Sequence, residues 1–91
     1  MSYAMAEVEI GRITRYFGKI GVVAIEIAKD SLRVGDTIRI KGHTSDLTHR
    51  IDSMQIDGKP VQEAGPGQSV GVKIAGQARQ HDVVYKVTET P

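Results

Sequence analysis

Residues 32–42 read Leu-Arg-Val-Gly-Asp-Thr-Ile-Arg-Ile-Lys-Gly, a glycine-aspartate turn followed by a segment in which apolar and polar side chains alternate. Val34, Ile38 and Ile40 can face one side while the polar residues face the other, which is the two-residue period of a half-buried strand. Gly35 supplies the positive φ that a tight turn favours. The stretch therefore predicts a turn that leads into a β-strand.

The same pattern recurs along the chain. Val70, Val72 and Ile74 alternate after another glycine turn, and residues 20–27 form the longest apolar run. That run is short enough to be a helix, but its β-branched side chains and flanking glycines favour a strand. Further strands are predicted at residues 7–13, 47–56 and 82–87. Six strands in a chain of this size predict an all-β fold, and a six-stranded closed β-barrel removes the sheet edges.

Two interruptions in the alternation predict β-bulges. Val8 and Ile10 should both face the core, but the apolar phase shifts by one residue after Gly11. The apolar phase of residues 47–56 changes near Ser53. We therefore expect one bulge at the glycine and either a second bulge or strong coiling of the strand near Ser53.

Length and composition restrict the classes of function. The chain has 91 residues, which make one domain, predicted over residues 7–88 with a disordered start at 1–6 and a tail at 89–91. The formal net charge of +1 demands neither nucleic acid nor an anionic membrane. The sequence contains no cysteine, no membrane-spanning apolar run and no signal-peptide pattern, so we expect a cytoplasmic protein without membrane association.

Five short motifs occur in an order and at a spacing that resemble a known family. They are Ile10-Gly11-Arg12-Ile13, Gly21-Val22-Val23, Leu32-Arg33-Val34-Gly35-Asp36, Ser53-Met54-Gln55-Ile56 and Ala64-Gly65-Pro66-Gly67-Gln68-Ser69-Val70-Gly71. Over residues 8–87 the chain resembles the second domain of translational GTPases such as elongation factor Tu. The resemblance implies a six-stranded closed Greek-key β-barrel, the translation-protein barrel. Such barrels also occur as an appended domain in some collagenase-like peptidases, and the chain is similar to small stand-alone elongation-factor-like proteins.

The GTPase activity of that family is not expected here. A phosphate loop has the form G-x-x-x-x-G-K-[ST], because glycine amides cradle the phosphates and the hydroxyl holds magnesium. Here Gly18-Lys19 is followed by Ile20, and no glycine precedes it at the required spacing. We therefore expect no GTP binding, no cofactor and no enzymatic activity.

The resemblance also implies a position for an adenosine pocket. In elongation factor Tu, a glutamate and an arginine of the barrel help to hold the aminoacylated terminal adenosine of tRNA. The corresponding positions are Gln55 and Gly58. Gln55 can hydrogen-bond an adenine, whereas Gly58 has no side chain to contribute.

Cationic side chains beside aromatic ones form the first candidate binding surface. Arg12, Arg15, Tyr16 and Lys19 surround Phe17, and such a set can hold phosphates and stack on bases. In the competing interpretation, which we favour, Phe17, with or without Tyr16, caps one end of the barrel as part of a small core that contains no other phenylalanine, and the charges are solvated.

Neighbouring strands carry a candidate second basic face, formed by Arg33, Arg39, Lys41 and Arg50, although a solvated surface of mixed charge is the favoured interpretation. Arg39 and Lys41 point outward there, although nearby aspartates can neutralise part of their charge. Val22 and Ala24 also point away from the predicted core and could dock another protein.

Catalytic and metal sites are not predicted. His43, His49 and His81 lack the spacing of a metal site. Ser45, Asp46 and His49 contain the residue types of a catalytic triad, but a turn rich in serine and aspartate is the ordinary explanation.

These observations favour a non-catalytic binding module whose partner is RNA, such as tRNA or the ribosome, or a translation-associated protein. The alternative is an accessory barrel that acts in trans, through protein contact, on an enzyme such as a collagenase-like peptidase or an RNA-modifying protein. The candidate binding residues are Arg12, Arg15, Tyr16, Lys19, Arg39, Lys41 and Gln55. Neither hypothesis specifies an oligomeric state.

Overall fold

The fold of the described part of the chain, residues 4–90 of a computed structural model, consists of ten β-strands and no helix. The strands are β1 (Ala4–Phe17), β2 (Val22–Ile27), β3 (Leu32–Arg33), β4 (Thr37–Lys41), β5 (Asp46–Arg50), β6 (Met54–Ile56), β7 (Lys59–Val61), β8 (Glu63–Ala64), β9 (Ser69–Lys73) and β10 (Val83–Thr90). The predicted all-β class is confirmed. The predicted count of six is wrong, because the predicted 47–56 strand divides into β5 and β6, and short strands of two or three residues also form at β3, β7 and β8.

Eight strands form one antiparallel sheet in the order β5-β4-β10-β1-β2-β9-β6-β7, and β3 pairs with β8 separately. The 14-residue β1 pairs with β10 along its first part and with β2 along its second. This one long strand therefore connects two groups of strands within a single sheet.

The predicted bulge at Gly11 is confirmed. The register between β1 and β10 shifts between Glu9 and Gly11, and the shift leaves both Ile10 and Ile13 fully buried. A side chain on Gly11 would collide with the backbone carbonyl of Glu26. Glycine at this position is therefore required for the close approach of β1 and β2.

The predicted continuous strand over residues 47–56 is wrong. β5 ends at Arg50 and pairs with β4, whereas β6 begins at Met54 and pairs with β7 and β9. Between them, the amide of Ile51 donates to the carbonyl of Asp36 at 2.8 Å, and its carbonyl accepts from the amide of Gly35 at 2.8 Å. The phase change near Ser53 marks a crossing between two parts of the sheet.

The core is made almost entirely of aliphatic side chains. Its buried members are Ile10, Ile13, Val23, Ile25, Ile27, Leu32, Ile38, Ile40, Ile51, Met54, Ala64, Val70, Val72, Ile74, Ala78 and Val84. The alternating residues predicted to face inward on β2, β4 and β9 are among them, which confirms those three assignments.

Two apolar residues predicted to be buried are exposed. Val8 is 37% exposed, because β1 at this point pairs with β10 but has not yet met β2. Phe17 is 41% exposed, because it ends β1 at the turn into β2, and it is not among the side chains that pack against the core. The interpretation that assigned Phe17 to the core is therefore wrong.

Strand pairing extends to both ends of the described chain. Ala4 lies opposite Thr90, so the sheet continues beyond the predicted limits of residues 7 and 88. Residues 1–3 and 91, which belong to the predicted disordered start and tail, lie outside the described residues. Within residues 4–90, no helix is long and apolar enough to cross a membrane.

Candidate functional site

Charge is distributed unequally between segments of the chain. Residues 10–25 and 64–81 contain five lysines and arginines but no aspartate or glutamate. The formal charge of +1 is therefore the sum of +5 in these two segments and −4 in the rest of the chain. The five cations are Arg12, Arg15, Lys19, Lys73 and Arg79.

The topology brings these two segments together. β2 pairs with β1 on one side and with β9 on the other, so that Val22 lies opposite both Phe17 and Lys73. The loop after β9 returns to β1, where the amide of His81 donates to the carbonyl of Ile13 at 2.7 Å. We call the surface formed by residues 12–22 and 73–81 the basic end.

An open cleft of about 450 Å³ lies between the end of β1 and the loop after β9. It is lined by Arg15, Tyr16, Phe17, Ala78, Arg79 and Gln80. A second cleft of about 390 Å³ also includes Tyr16 and Arg79. Tyr16 links the two elements, because its hydroxyl donates to the carbonyl of Gly76 at 3.2 Å. Two arginines from different elements thus flank aromatic rings, an arrangement suited to acidic groups and planar ligands.

A buried carboxylate fixes the loop that carries Arg79. Asp82 is only 6% exposed, and its Oδ2 accepts a hydrogen bond from the amide of Arg79 at 2.9 Å. The amide of Asp82 donates in return to the carbonyl of Arg79 at 3.2 Å. Gly42 makes room for this carboxylate, because a side chain there would collide with it.

The tip of the β1–β2 hairpin exposes large apolar side chains. Ile20 is 63% exposed in the turn, next to the exposed Phe17. A depression of about 180 Å³ adjoins the tip and is lined by Ile20, Val22, Ser53, Gln55, Gly71 and Lys73. Among the described residues, none of the five cations of the basic end forms an ion pair.

The structure gathers four of the predicted binding residues and places a fifth nearby. Arg12, Arg15, Tyr16 and Lys19 lie on the basic end, with Arg12 opposite Glu26 of β2. Gln55 lies opposite Gly71 on the neighbouring pair of strands and lines the depression beside the tip.

The remaining two predicted residues, Arg39 and Lys41, lie on β4 outside the basic end. The Nε and a terminal nitrogen of Arg39 donate to the Asp46 carboxylate at 3.0 Å each, and its other terminal nitrogen donates to Glu7 at 2.8 Å. These hydrogen bonds raise the pKa of Arg39 and hold the pKa of Asp46 below its ordinary value. Lys41 lies opposite Asp46 and is separated from Arg12 by β10. Carboxylates therefore neutralise much of the positive charge on the face of β4 that carries Arg39 and Lys41.

Sequence reasoning did not identify Lys73, Arg79 or Ile20 as candidate residues. Lys73 and Arg79 lie more than fifty residues from Arg15, and the loop between them shows no recognised motif. The detectable signal was the lack of acidic residues over both 10–25 and 64–81, combined with strand pairing between those segments.

The side chains of Asp46 and His49, which have the residue types of a catalytic triad, lie on different faces of β5. Asp46 is exposed and bonded to Arg39, whereas His49 points toward the opposite face of β5. The Nε2 atom of His49 is buried without a hydrogen-bond partner, beside a cleft of about 270 Å³. Within residues 4–90, no group of three or more histidine, cysteine, aspartate or glutamate side chains could hold a metal ion.

Comparison with known proteins finds relatives among proteases. No protein-family model matches the chain. An uncharacterized protease from Methanocaldococcus jannaschii is 41% identical over 85 residues, which cover 92% of this chain and 21% of the protease. A collagenase from Porphyromonas gingivalis is 26% identical over 81 residues, covering 88% of this chain and 20% of the collagenase. The chain thus spans about a fifth of the length of these curated relatives.

Solved structures show the same fold. The C-terminal domain of a Geobacillus thermoleovorans protein assigned as a U32 peptidase has a TM-score of 0.80 and 20% identity, covering 87% of this chain and 91% of that domain. The translational GTPase aIF5B from Aeropyrum pernix, bound to GDP, has a TM-score of 0.61 and 18% identity, covering 94% of this chain and 15% of that protein. The likeness to the peptidase domain is the stronger of the two, and the likeness to a translational GTPase is partial.

Proposed function

We propose that this chain is a non-catalytic accessory domain that binds, through protein contacts, a protein related to U32 peptidases and collagenases. One observation carries the proposal. The 41% identity extends over 92% of this chain but only 21% of the protease from Methanocaldococcus jannaschii. Such a match is expected when the relative contains this fold as one domain beside a larger part. The separately crystallised C-terminal domain, at a TM-score of 0.80, supports an independent folding unit.

The arrangement of side chains favours binding over catalysis. Asp46 is held by Arg39 and faces away from His49, so these residues form no catalytic relay. The basic end instead offers cations outside ion pairs, two open clefts and exposed apolar side chains on one surface. These are the features of an interaction surface.

We also propose that the sheet curves into the closed Greek-key barrel that the sequence predicts, with more strands than the predicted six. β5 and β6 are consecutive in the chain but lie near opposite ends of the sheet order. Ile51 bridges them while bonding to Asp36 and Gly35. This connection draws the two ends around one shared core, which supports closure.

A binding experiment tests the proposed function. The protease from Methanocaldococcus jannaschii is prepared without the segment that matches this chain, and its association with the chain is measured by titration calorimetry and size-exclusion chromatography. We expect a 1:1 complex with a Kd in the micromolar range or tighter. The protease's own matched segment should compete with the chain for the same site. Separate elution and no heat of binding would contradict the proposal.

RNA binding is the second candidate function, and the charge of the basic end favours it. Five cations from two segments that contain no aspartate or glutamate, together with exposed Phe17, can hold phosphates and stack a base. The test is fluorescence anisotropy with tRNA and with ribosomal RNA. Binding by this surface should weaken steeply as salt increases and in the Arg15→Gln and Arg79→Gln variants.

A cytoplasmic location, compatible with the lack of cysteine, stays a prediction.

A further inference from the structure

We infer that the tip of the β1–β2 hairpin is the docking element of this domain, and that it inserts Ile20 and Phe17 into an apolar recess rimmed by acidic side chains on the partner protein. This inference rests on the proposed function, to which it adds the contact surface and the chemistry of the partner.

The expectation of an apolar recess on the partner follows from the solvent exposure of Ile20 and Phe17. Ile20 is 63% exposed and Phe17 is 41% exposed, whereas alternate aliphatic residues of the neighbouring β2 and β9 are buried and Val22 and Ala24 of β2 are partly buried. Phe17 ends β1 and Ile20 lies three residues later in the turn, so one partner surface can contact both side chains. Transferring such side chains out of water is favourable, and large apolar anchors dominate most protein interfaces.

The expectation of an acidic rim on the partner follows from the positively charged side chains around the tip. Arg15 and Lys19 flank Phe17 and Ile20 in the hairpin, while Lys73 and Arg79 approach from β9 and the loop after it. Among the described residues, none of these four cations forms an ion pair. A ring of available cations around apolar anchors is complementary to an apolar recess with an acidic rim.

The tip is preorganised for binding. The amide of Ile20 donates to the carbonyl of Phe17 at 3.2 Å, and the amide of Ile74 donates to the carbonyl of Gly21 at 2.8 Å. Gly21 has a φ of 65°, a left-handed conformation that glycine adopts without strain. A turn fixed in this way loses little conformational entropy when it binds.

A protein partner explains this surface better than RNA does. Phosphates would satisfy the cations and a base could stack on Phe17, but Ile20 offers no planar face for a base. Ile20 and Val22 also border the depression that contains Gln55 and Gly71. An exposed aliphatic side chain beside a depression is suited to packing against a protein partner.

Two variants test the inference against matched controls, with binding to the truncated Methanocaldococcus protease measured by calorimetry. Ile20→Ser removes the apolar anchor, and its control is Val8→Ser, which changes a residue that is 37% exposed on a different part of β1. A triple Gln variant at Arg15, Lys19 and Arg79 removes the charges. Its control is a triple Gln variant at the exposed cations Lys29, Arg50 and Lys59.

We expect Ile20→Ser and the basic-end triple variant each to weaken binding about tenfold or more, and the controls to change it less than about threefold. The effect of the triple variant should shrink at high salt. Because every altered side chain is exposed, the thermal unfolding midpoint should stay close to that of the unaltered chain, which verifies folding.

The outcomes separate this inference from the proposed function. If the unaltered chain does not bind the truncated protease, the proposed function is wrong. If the unaltered chain binds and both tip variants bind equally well, the proposed function stands and the docking surface is wrong. If the tip variants lose affinity for tRNA while keeping affinity for the protease, the surface is a nucleic-acid site and the inference is overturned.

Discussion

Gly11 shows how one residue determines the register of the longest strand. The bulge beside it allows Ile10 and Ile13 to enter the core together, and the missing side chain allows close contact with the carbonyl of Glu26. The sequence predicted this bulge, because the phase of apolar residues changes at the glycine and a bulge is the local structure that produces such a change.

Replacing Gly11 tests that role. Gly11→Ala should lower the free energy of unfolding by about 2–3 kcal/mol, because the new methyl group collides with a backbone atom that cannot move cheaply. Urea denaturation measures the change. Gly18→Ala is the control, since a side chain there would lie an ordinary 3.4 Å from the ring of Tyr16. Equal stability of the two variants would contradict this account of the bulge.

The Arg39 cluster predicts a pH dependence of stability. Arg39 holds the pKa of Asp46 below its ordinary value of 3.8, so the stabilisation is present above that value and is lost as the pH falls through the lowered pKa. Arg39→Gln should therefore be less stable than the unaltered chain at neutral pH. That difference should shrink in acid, as followed by denaturation at several pH values. A difference that stays constant in acid, or that Arg50→Gln reproduces, would rule out this coupling.

At the scale of elements, some strands could be predicted from the sequence and others could not. β2, β4 and β9 each have one face in the core, so their alternation appears directly in the sequence. The crossing between β5 and β6 could not be predicted, because it depends on which distant strands each segment meets. The exposure of Phe17 depends in the same way on its position at the end of β1.

The loop after β9 is an element whose conformation depends on one buried side chain. Asp82→Ala removes the acceptor for the amide of Arg79, so hydrogen exchange at Arg79 should become about tenfold faster or more. Mass spectrometry or NMR can measure the exchange, with the core amide of Val72 as the internal reference. Asp52→Ala, at an exposed position, is the control.

The result for Asp82→Ala can contradict this account in two ways. Exchange at Arg79 that does not change would mean that the carboxylate does not organise the loop. Equal acceleration at Arg79 and Val72 would mean that the substitution weakens the whole fold and that the loop has no separate dependence on Asp82.

At the scale of the whole molecule, only half of the proposed binding surface could be predicted from the sequence. The hairpin contributed Arg12, Arg15, Tyr16 and Lys19 to the candidate residues, because cations and aromatics lie close together in the sequence. The other half of the basic end comes from β9 and the following loop, and only the strand pairing reveals that these segments adjoin the hairpin. The net charge of +1 gave no indication that the basic end carries an excess of positive charge.

The most direct test of the accessory-domain account is an NMR titration of the isotopically labelled chain with the Methanocaldococcus protease that lacks its matched segment. We predict saturable shifts of backbone amide signals concentrated in residues 15–22 and 73–80, with smaller changes on β4 and β5. Signals that do not shift at any ratio of the two proteins would contradict the claim that this chain is a binding domain for such a protein.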